Sequence, residues 1–298
     1  MPPLRRCWSA ALFVFGAGTL VAPAASEPGS SPGVSEGAPP AAASPPARPA
    51  RGVCPEEMMR VRSFCIDRWE IGTVDTATGL ALSPYYPPEP RALELVRRLW
   101  QVERERVGDR FARTMPLPPL PAVQKSGTFQ PKAVSRPAIV PQGYLSFYTA
   151  KRACENAGKR LCTLDEWMLA CRGEQGQKFP YGSEFDRTAC NVYRHYHPAF
   201  VLHGNTSVGH RDPRLNLVVE RGVDPLLRLT GQSARCQSRW EGQAAYDMVG
   251  NLDEWVAEEA GIFAGGFYAR STTSGCEAQV SSHSPLYYDY STGTRCCR

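Results

Sequence analysis

Several absences narrow the reading of this chain at once. Glycine never recurs with a three-residue period, which excludes a collagen-like rod. No Cys-x-x-Cys pair occurs, so zinc knuckles and thioredoxin-type redox motifs are missing. Lysine and arginine are scattered, with no basic stripe of the kind that tracks nucleic acid. The 298 residues show no internal repeat, and their longest apolar run falls short of the roughly 20 residues that cross a bilayer. What is present is a hydrophobic fraction of 42%, enough to bury a core and to exclude wholesale disorder. A formal charge of +5 names no partner class.

The amino-terminal 25 residues read as a secretory signal: Arg5 and Arg6, an apolar stretch from Ala10 to Ala22, and small residues at Ala22-Pro23-Ala24 for cleavage. A membrane anchor is the alternative, which the short apolar stretch disfavours. Residues 26–53 read as a disordered tether, because 22 of the 27 residues from Ser26 to Gly52 are Pro, Ala, Gly or Ser. The folded domain is expected over 54–298, with no transmembrane segment after signal cleavage. Removing the signal also removes Cys7 and leaves ten cysteines, an even number that suits a disulfide framework in an exported chain.

Within the domain, Ser63–Glu70 alternates enough for a strand. A helix is predicted over Arg91–Val107, with Ala92, Leu95, Val96, Leu99 and Val102 as its apolar stripe. Proline-rich segments bracket it, so the region near 90–113 reads as a helical insertion on the domain edge. Ala150, Ala153, Cys154 and Ala157 mark a second helix that stops at Gly158. Leu164, Trp167, Met168 and Cys171 mark a third, opened by the capping-box order Thr163-Leu164-Asp165-Glu166 and closed at Gly173. The tail from Gly265 reads as strands and turns, in which Cys296 and Cys297 face opposite sides.

The residues then resemble a known family. Ala157-Gly158-Lys159-Arg160-Leu161, Glu166-Trp167 and Ala170-Cys171-Arg172-Gly173 are similar to the AGKRL…EW…CRG block of the sulfatase-modifying-factor domain. Pro180-Tyr181-Gly182 is similar to its YPWG-like turn. The run from Tyr246 to Trp255 resembles its YDMVGNVWEW block, Gly265-Gly266 its GGS landmark, and Gly293-Thr294-Arg295-Cys296 its closing GFRC. The resemblance implies an α+β, C-type-lectin-like fold in its formylglycine-generating-enzyme variant, loop-rich, with a small twisted sheet and packed helices. Founding members oxidise a sulfatase cysteine to an aldehyde with copper and oxygen.

That chemistry needs two thiolates, the soft ligands that Cu(I) prefers. The family positions for them hold Arg270 and Gly275 here, the serine after the double glycine is Phe267, and the histidine after the first cysteine is Ser271. Cys276, one residue past the second position, matches instead a cysteine that the family cross-links to the CRG helix. No catalytic residue is therefore assigned, and copper is not expected. The resemblance pairs Cys154 with Cys296 and Cys171 with Cys276. Proximity then suggests Cys54–Cys65, the neighbouring helix suggests Cys162–Cys297, and elimination leaves Cys190–Cys236.

Calcium is the cofactor the resemblance implies. Asp247, Gly250, Leu252 and Glu254 match one family site, and Asn191 with the carbonyl of Val192 begins a second; hard oxygen donors on irregular backbone suit the ion. The alternative has Asp247, Asp253 and Glu254 capping turns in solvent. Among the five histidines, His195 and His197 could chelate at i, i+2 on a strand but lack a readable third ligand, and His203, His210 and His283 read as loop residues.

Two functions stay open. The first is an exported, non-catalytic, disulfide-rich module in the periplasm, at the cell surface or outside the cell. It binds a protein or surface glycan through a groove at Phe267, Tyr268 and Arg270. The second is a formylglycine-type oxidoreductase with a relocated site. A different reaction, with Arg270 holding an anion, is a weaker third. Against all of these stands the reading in which Arg270 pairs with an acid such as Glu277 and holds no ligand.

Overall fold

The computed structural model describes residues 53–104, 106, 108–220 and 224–298. The chain divides into units 1–48 and 49–298, and the second is described here. The signal segment and all but the last residue of the expected tether lie outside the described residues.

Two four-stranded sheets organise the domain. In the first, the order is Met58–Val61, Phe64–Asp67, Cys296–Cys297 and Arg160–Leu161, so the last strand of the chain is inserted between early ones. The second runs Gln279–Val280, Phe263–Ala264, Asp253–Trp255 and Thr292–Gly293, and its last two strands are parallel. Three two-stranded ribbons surround them. One, Gln237–Trp240 with Gln243–Tyr246, turns on Glu241 and Gly242, both at positive φ (48° and 77°). That pair of angles suits the right-handed twist of a tight hairpin. With short strands, scattered helices and much irregular chain, the architecture is α+β.

The strand expected over Ser63–Glu70 pairs only from Phe64 to Asp67. Beyond it the chain leaves the ladder and Glu70 turns inward, where its carboxylate accepts from the Leu252 amide at 3.0 Å and Asn251 Nδ2 at 2.6 Å. The insertion helix spans Pro90–Glu103, beginning with proline at a position that needs no amide donor and with Glu89 accepting from the Ala92 amide at 2.7 Å. Its stripe differs from the predicted one: Leu95 and Val102 are exposed (36% and 54%), while Leu93 and Val96 are buried. The helix is rotated to bury Leu93 beside Val96, which keeps Ala92 and Leu99 half-buried and turns Leu95 and Val102 to solvent.

The next two helices follow their sequence signals closely. Phe147–Asn156 is capped by Ser146, buries Ala150, Ala153 and Cys154, and is followed by Gly158 at φ 69°. Leu164–Arg172 carries the full capping box, with Thr163 and Glu166 exchanging hydrogen bonds, and buries Trp167 and Cys171. The five disulfides are Cys54–Cys65, Cys154–Cys296, Cys162–Cys297, Cys171–Cys276 and Cys190–Cys236. Cys296 and Cys297 face opposite sides of one strand: the first packs with Cys154, Phe147 and Trp255, the second with Cys162, Trp167 and Ile66. Five bridges fit an oxidising, non-cytosolic compartment. Among the described residues no helix is long and apolar enough to cross a membrane.

Candidate functional site

The loop that joins Phe263–Ala264 to Gln279–Val280 in the second sheet begins with two glycines that no other residue could replace without movement. Gly265 and Gly266 have φ of 90° and 76°, and a Cβ on Gly266 would meet Thr272 Oγ1 at 2.4 Å. The tight turn carries Phe267, which is buried in the core cluster, and Arg270, which is half-exposed. The Arg270 guanidinium lies 5.0 Å above the Phe267 ring, a cation–π contact. Its NH1 donates to Asp253 Oδ1 at 2.7 Å. Tyr268 is fully buried and donates its hydroxyl to Asn216 Oδ1 at 2.9 Å, so it supports the loop from below rather than lining a groove. Glu277 pairs with Arg172 at 2.9 Å, so the acid that holds Arg270 is Asp253 and not Glu277.

This pair is unequal. The Asp253 side chain is 1% exposed and that of Arg270 36%. Burial, with Asp289 adding repulsion and Arg270 opposing it, pushes the Asp253 carboxyl up to about 7. Its second oxygen is buried with no hydrogen-bond partner among the described residues. In the family's YDMVGNVWEW block the position of Asp253 is a tryptophan. Asp253 and Arg270, the two positions at which the resemblance expects a tryptophan and a cysteine, are joined in one ion pair. Beside it, His197 Nε2 lies 3.1 Å from the Tyr290 hydroxyl and its ring meets Phe267 edge-on, while His195 packs its ring on Tyr196. The i, i+2 pair therefore forms no chelate.

Gly275 has a purely local role. At φ 63° it admits Lys178 O where a Cβ would sit 2.3 Å away. It opens the short 3-10 turn Gly275–Glu277 that directs Cys276 to Cys171. Every cysteine among the described residues is in a disulfide, and Cys276 is no exception.

The oxygen-rich region behind the loop is buried, which removes the reading of Asp247, Asp253 and Glu254 as solvent-facing caps. Glu254 accepts from Arg295 Nε and NH2 and from Trp167 Nε1, all at 2.7 Å, so both its oxygens are engaged. Asp247, left-handed at φ 57°, accepts from the Gly231 amide through Oδ2 at 2.6 Å and leaves Oδ1 without a donor. Asn191 donates to Leu226 O and Asn251 Oδ1, and its own Oδ1 also lacks a donor. Asn191 and Gly250 form a parallel bridge, and Gly250 must be glycine because a Cβ would lie 2.3 Å from Asn191 O. Val192 and Leu252 are buried beside them. Each of the two expected cation sites thus contains one buried side-chain oxygen without a donor, Asp247 Oδ1 in the first and Asn191 Oδ1 in the second, but the carboxylate that the resemblance assigns to Glu254 is already engaged.

Three residues of this region escaped the sequence reading: Glu70, Asn251 and Arg295. Burial holds the Glu70 carboxyl well above its ordinary range, with Asp247 and Glu254 adding repulsion, and burial likewise pushes Asp247 up to about 7. Arg295 is the buried cation among them. The readable signal was an acid closing an apolar strand at Glu70 and a lone arginine between the terminal Thr294 and Cys296.

The model of the sulfatase-modifying factor enzyme 1-like domain matches residues 34–298. An inactive C-alpha-formylglycine-generating enzyme 2 of Bos taurus is 28% identical over 120 residues, 40% of this chain and 33% of that protein, so the match spans about a third of the curated relative. Among solved structures, CarF is 15% identical over 78% of this chain and 98% of its own, with a TM-score of 0.36. PvdO from Pseudomonas aeruginosa is 15% identical over 79% and 80%, at 0.37. A Treponema denticola variable protein is 14% identical over 82% and 99%, at 0.34.

Proposed function

We propose, from the premise that the chain belongs to the sulfatase-modifying factor enzyme 1-like family, that it is an exported, non-catalytic binding module of that family. Its fold is the family's C-type-lectin-like variant. The observation that carries the reading is the state of the catalytic loop. Arg270 is held by Asp253 over Phe267, and Cys276 is committed to Cys171, so no thiolate pair is available for copper. A guanidinium on an aromatic ring grips a carboxylate or sulfate of a protein or surface glycan by paired hydrogen bonds, and it does not activate oxygen. That the bovine relative is an inactive C-alpha-formylglycine-generating enzyme 2 supports the same direction.

The test has two arms. Incubated with a sulfatase-type cysteine peptide, copper and oxygen, the purified protein is expected to form no aldehyde. Probed on a glycan array, it is expected to give signals that Arg270→Ala weakens. Aldehyde that depends on copper and Cys276 would restore the oxidoreductase reading.

We also propose calcium as a structural ion at two places, one with Asp247 Oδ1 and the Gly250 and Leu252 carbonyls, the other beginning with Asn191 and the Val192 carbonyl. Calcium is then expected to raise the unfolding temperature by mass action, with chelator reversing it and Asp247→Asn reducing it. An unfolding curve indifferent to both ion and chelator removes calcium from the account.

A further inference from the structure

Away from the Arg270 loop, the insertion helix builds a second candidate site. A groove of about 540 Å³ lies between that helix and the segment from Gln124 to Phe129. Leu93 and Phe129 line it from the core side; both belong to the same buried cluster as Phe267 and Tyr268, so the groove rests on rigid packing. Its rim is basic: Arg91, Arg97 and Arg98 come from the helix and Lys125 from the opposite wall, all exposed. The single acid on the rim, Glu94, is 3.7 Å from both Arg97 and Arg98, at the long limit of an ion pair and on an exposed surface. Such contacts leave the guanidinium donors largely free.

A second, independent observation points to a ligand. Gln124 lines the groove and is only 2% exposed. Its Oε1 accepts from the Ser83 amide at 2.6 Å, which fixes the side-chain amide, yet its Nε2 has no hydrogen-bond partner among the described residues. A buried amide donor without an acceptor is costly, and a ligand oxygen that reached the Gln124 side chain from the groove it lines would relieve that cost.

We propose that this groove binds an acidic, extended peptide segment of a partner protein. Charge complementarity selects the sign, since four cations face one anion across an apolar floor. Dimensions select the shape. From Arg91 to Arg98 the helix rises about 10 Å, the span of about three residues of extended chain. Acidic side chains on one edge of such a strand reach the rim while an intervening apolar side chain meets Leu93 and Phe129. The site is separate from the Arg270 loop and goes beyond the function proposed for it.

The experiment is fluorescence anisotropy with the purified protein and a labelled eight-residue peptide that alternates aspartate with leucine. The controls are the same peptide with lysine for aspartate, and decanoate as a non-peptide carboxylate. The acidic peptide is expected to bind and to weaken as salt is raised. The triple variant Arg91→Glu/Arg97→Glu/Arg98→Glu, altered only at exposed positions, is expected to weaken it by about tenfold or more. Gln124→Glu keeps the acceptor for Ser83 but replaces the unpartnered donor with an oxygen, and is expected to weaken binding severalfold. Binding of this peptide is expected to persist in Arg270→Ala, the variant that weakens the loop's own ligand, and its loss there would place the peptide on the loop and overturn the proposal. Equal binding of the lysine peptide, indifference to the triple variant, displacement by decanoate alone, or no binding of the acidic peptide each overturns the proposal.

Discussion

The domain contains two kinds of interior. Around Trp167 and Trp255 the buried clusters include Cys154, Cys162, Cys171, Cys190, Cys236, Cys276, Cys296 and Cys297, so apolar packing and covalent links coincide. The cluster around Tyr144, Tyr268 and Tyr290 holds no cysteine. There a buried Arg214 does the tying: it pairs with Asp212 at 2.6 Å and donates to the Ala112 and Met115 carbonyls of the insertion. The strand Asp253–Trp255 lies where these interiors meet, since Leu252 belongs to the uncross-linked cluster and Trp255 and Val256 to the linked ones. Asp253 and its partner Arg270 are thus placed at the boundary between a pinned frame and a packed but unpinned half. The blocks that match the family lie mostly in the frame, whereas of the departures Phe267 belongs to the other half, Asp253 and Arg270 to the boundary, and Gly275 leads into Cys276 of the frame.

The sharpest way to break this contrast is to remove a pin. Cys171 and Cys276 are 105 residues apart, so opening their bridge with Cys171→Ser/Cys276→Ser frees a long loop in the unfolded chain. The expected loss is about 5 kcal/mol, against about 3 kcal/mol for Cys54–Cys65, separated by only 11 residues. Urea unfolding of the two double variants measures the difference. Equal losses would show that loop length does not govern the frame.

In the unpinned half the corresponding blow is Arg214→Met. It leaves Asp212 buried without its cation, with His203 at 3.0 Å as the remaining partner, and strands the carbonyls of the insertion. Breaking a buried pair from one side costs about 3–5 kcal/mol. Adding Asp212→Leu is expected to recover much of that loss, since an apolar pair of similar volume is often neutral. A double variant as unstable as the single one would mean that Arg214 acts through the carbonyls instead of the ion pair.

These two halves also differ in how legible they were. Ordered motifs and capping signals gave the helices at Phe147–Asn156 and Leu164–Arg172, because a Ser or Thr cap, a 3.6-residue stripe and a stop glycine are all local. The insertion helix was found and its buried face only in part: Val96 is buried as expected, but Leu93 takes the place given to Leu95. Leu93 and Leu95 are equally apolar, and only the tertiary partner Phe129 in the same cluster decides between them. Likewise the aromatic setting of Arg270 was readable from Phe267 at close range. Its partner was not, because Asp253 reaches it across the sheet from 17 residues away. Buried charge is the general blind spot here: Glu70, Arg214 and Arg295 carry no local sign that water is excluded from them.

A milder probe works at the boundary itself. Asp253 titrates near 7 in the folded protein against an ordinary value of 3.8, so the folded state binds the proton more readily than the unfolded chain. For a carboxylate raised in this way, stability grows as pH falls from about 7 toward the ordinary value, and is lost as pH rises through about 7. Asp253→Asn is expected to remove that part of the slope, on the order of 2 kcal/mol between about pH 5 and pH 7. Asp247 and Asp67, pushed up to about 7 and about 6 mainly by burial, contribute in the same direction, so the readout is the difference between variant and parent. Parallel stability profiles for the two proteins would mean that Asp253 stays charged throughout.

The smallest effects compare one helix start from each half. Thr163→Ala removes the capping-box oxygen that accepts from the Glu166 amide at 3.2 Å, and Glu89→Ala removes the oxygen that accepts from the Ala92 amide at 2.7 Å. Each is expected to cost about 1 kcal/mol. Where the two diverge is local opening. Residue 162, just ahead of the first helix, is bonded to Cys297 and sits in a buried cluster, so fraying there is resisted by a covalent neighbour. No such link precedes Pro90, and the Leu93 amide depends on the Glu89 carbonyl. Hydrogen exchange at Leu93 is therefore expected to quicken in Glu89→Ala far more than exchange at Trp167 does in Thr163→Ala. Comparable acceleration at both amides would show that the disulfides pin the frame only against global unfolding and leave its helix ends as free to open as those of the insertion.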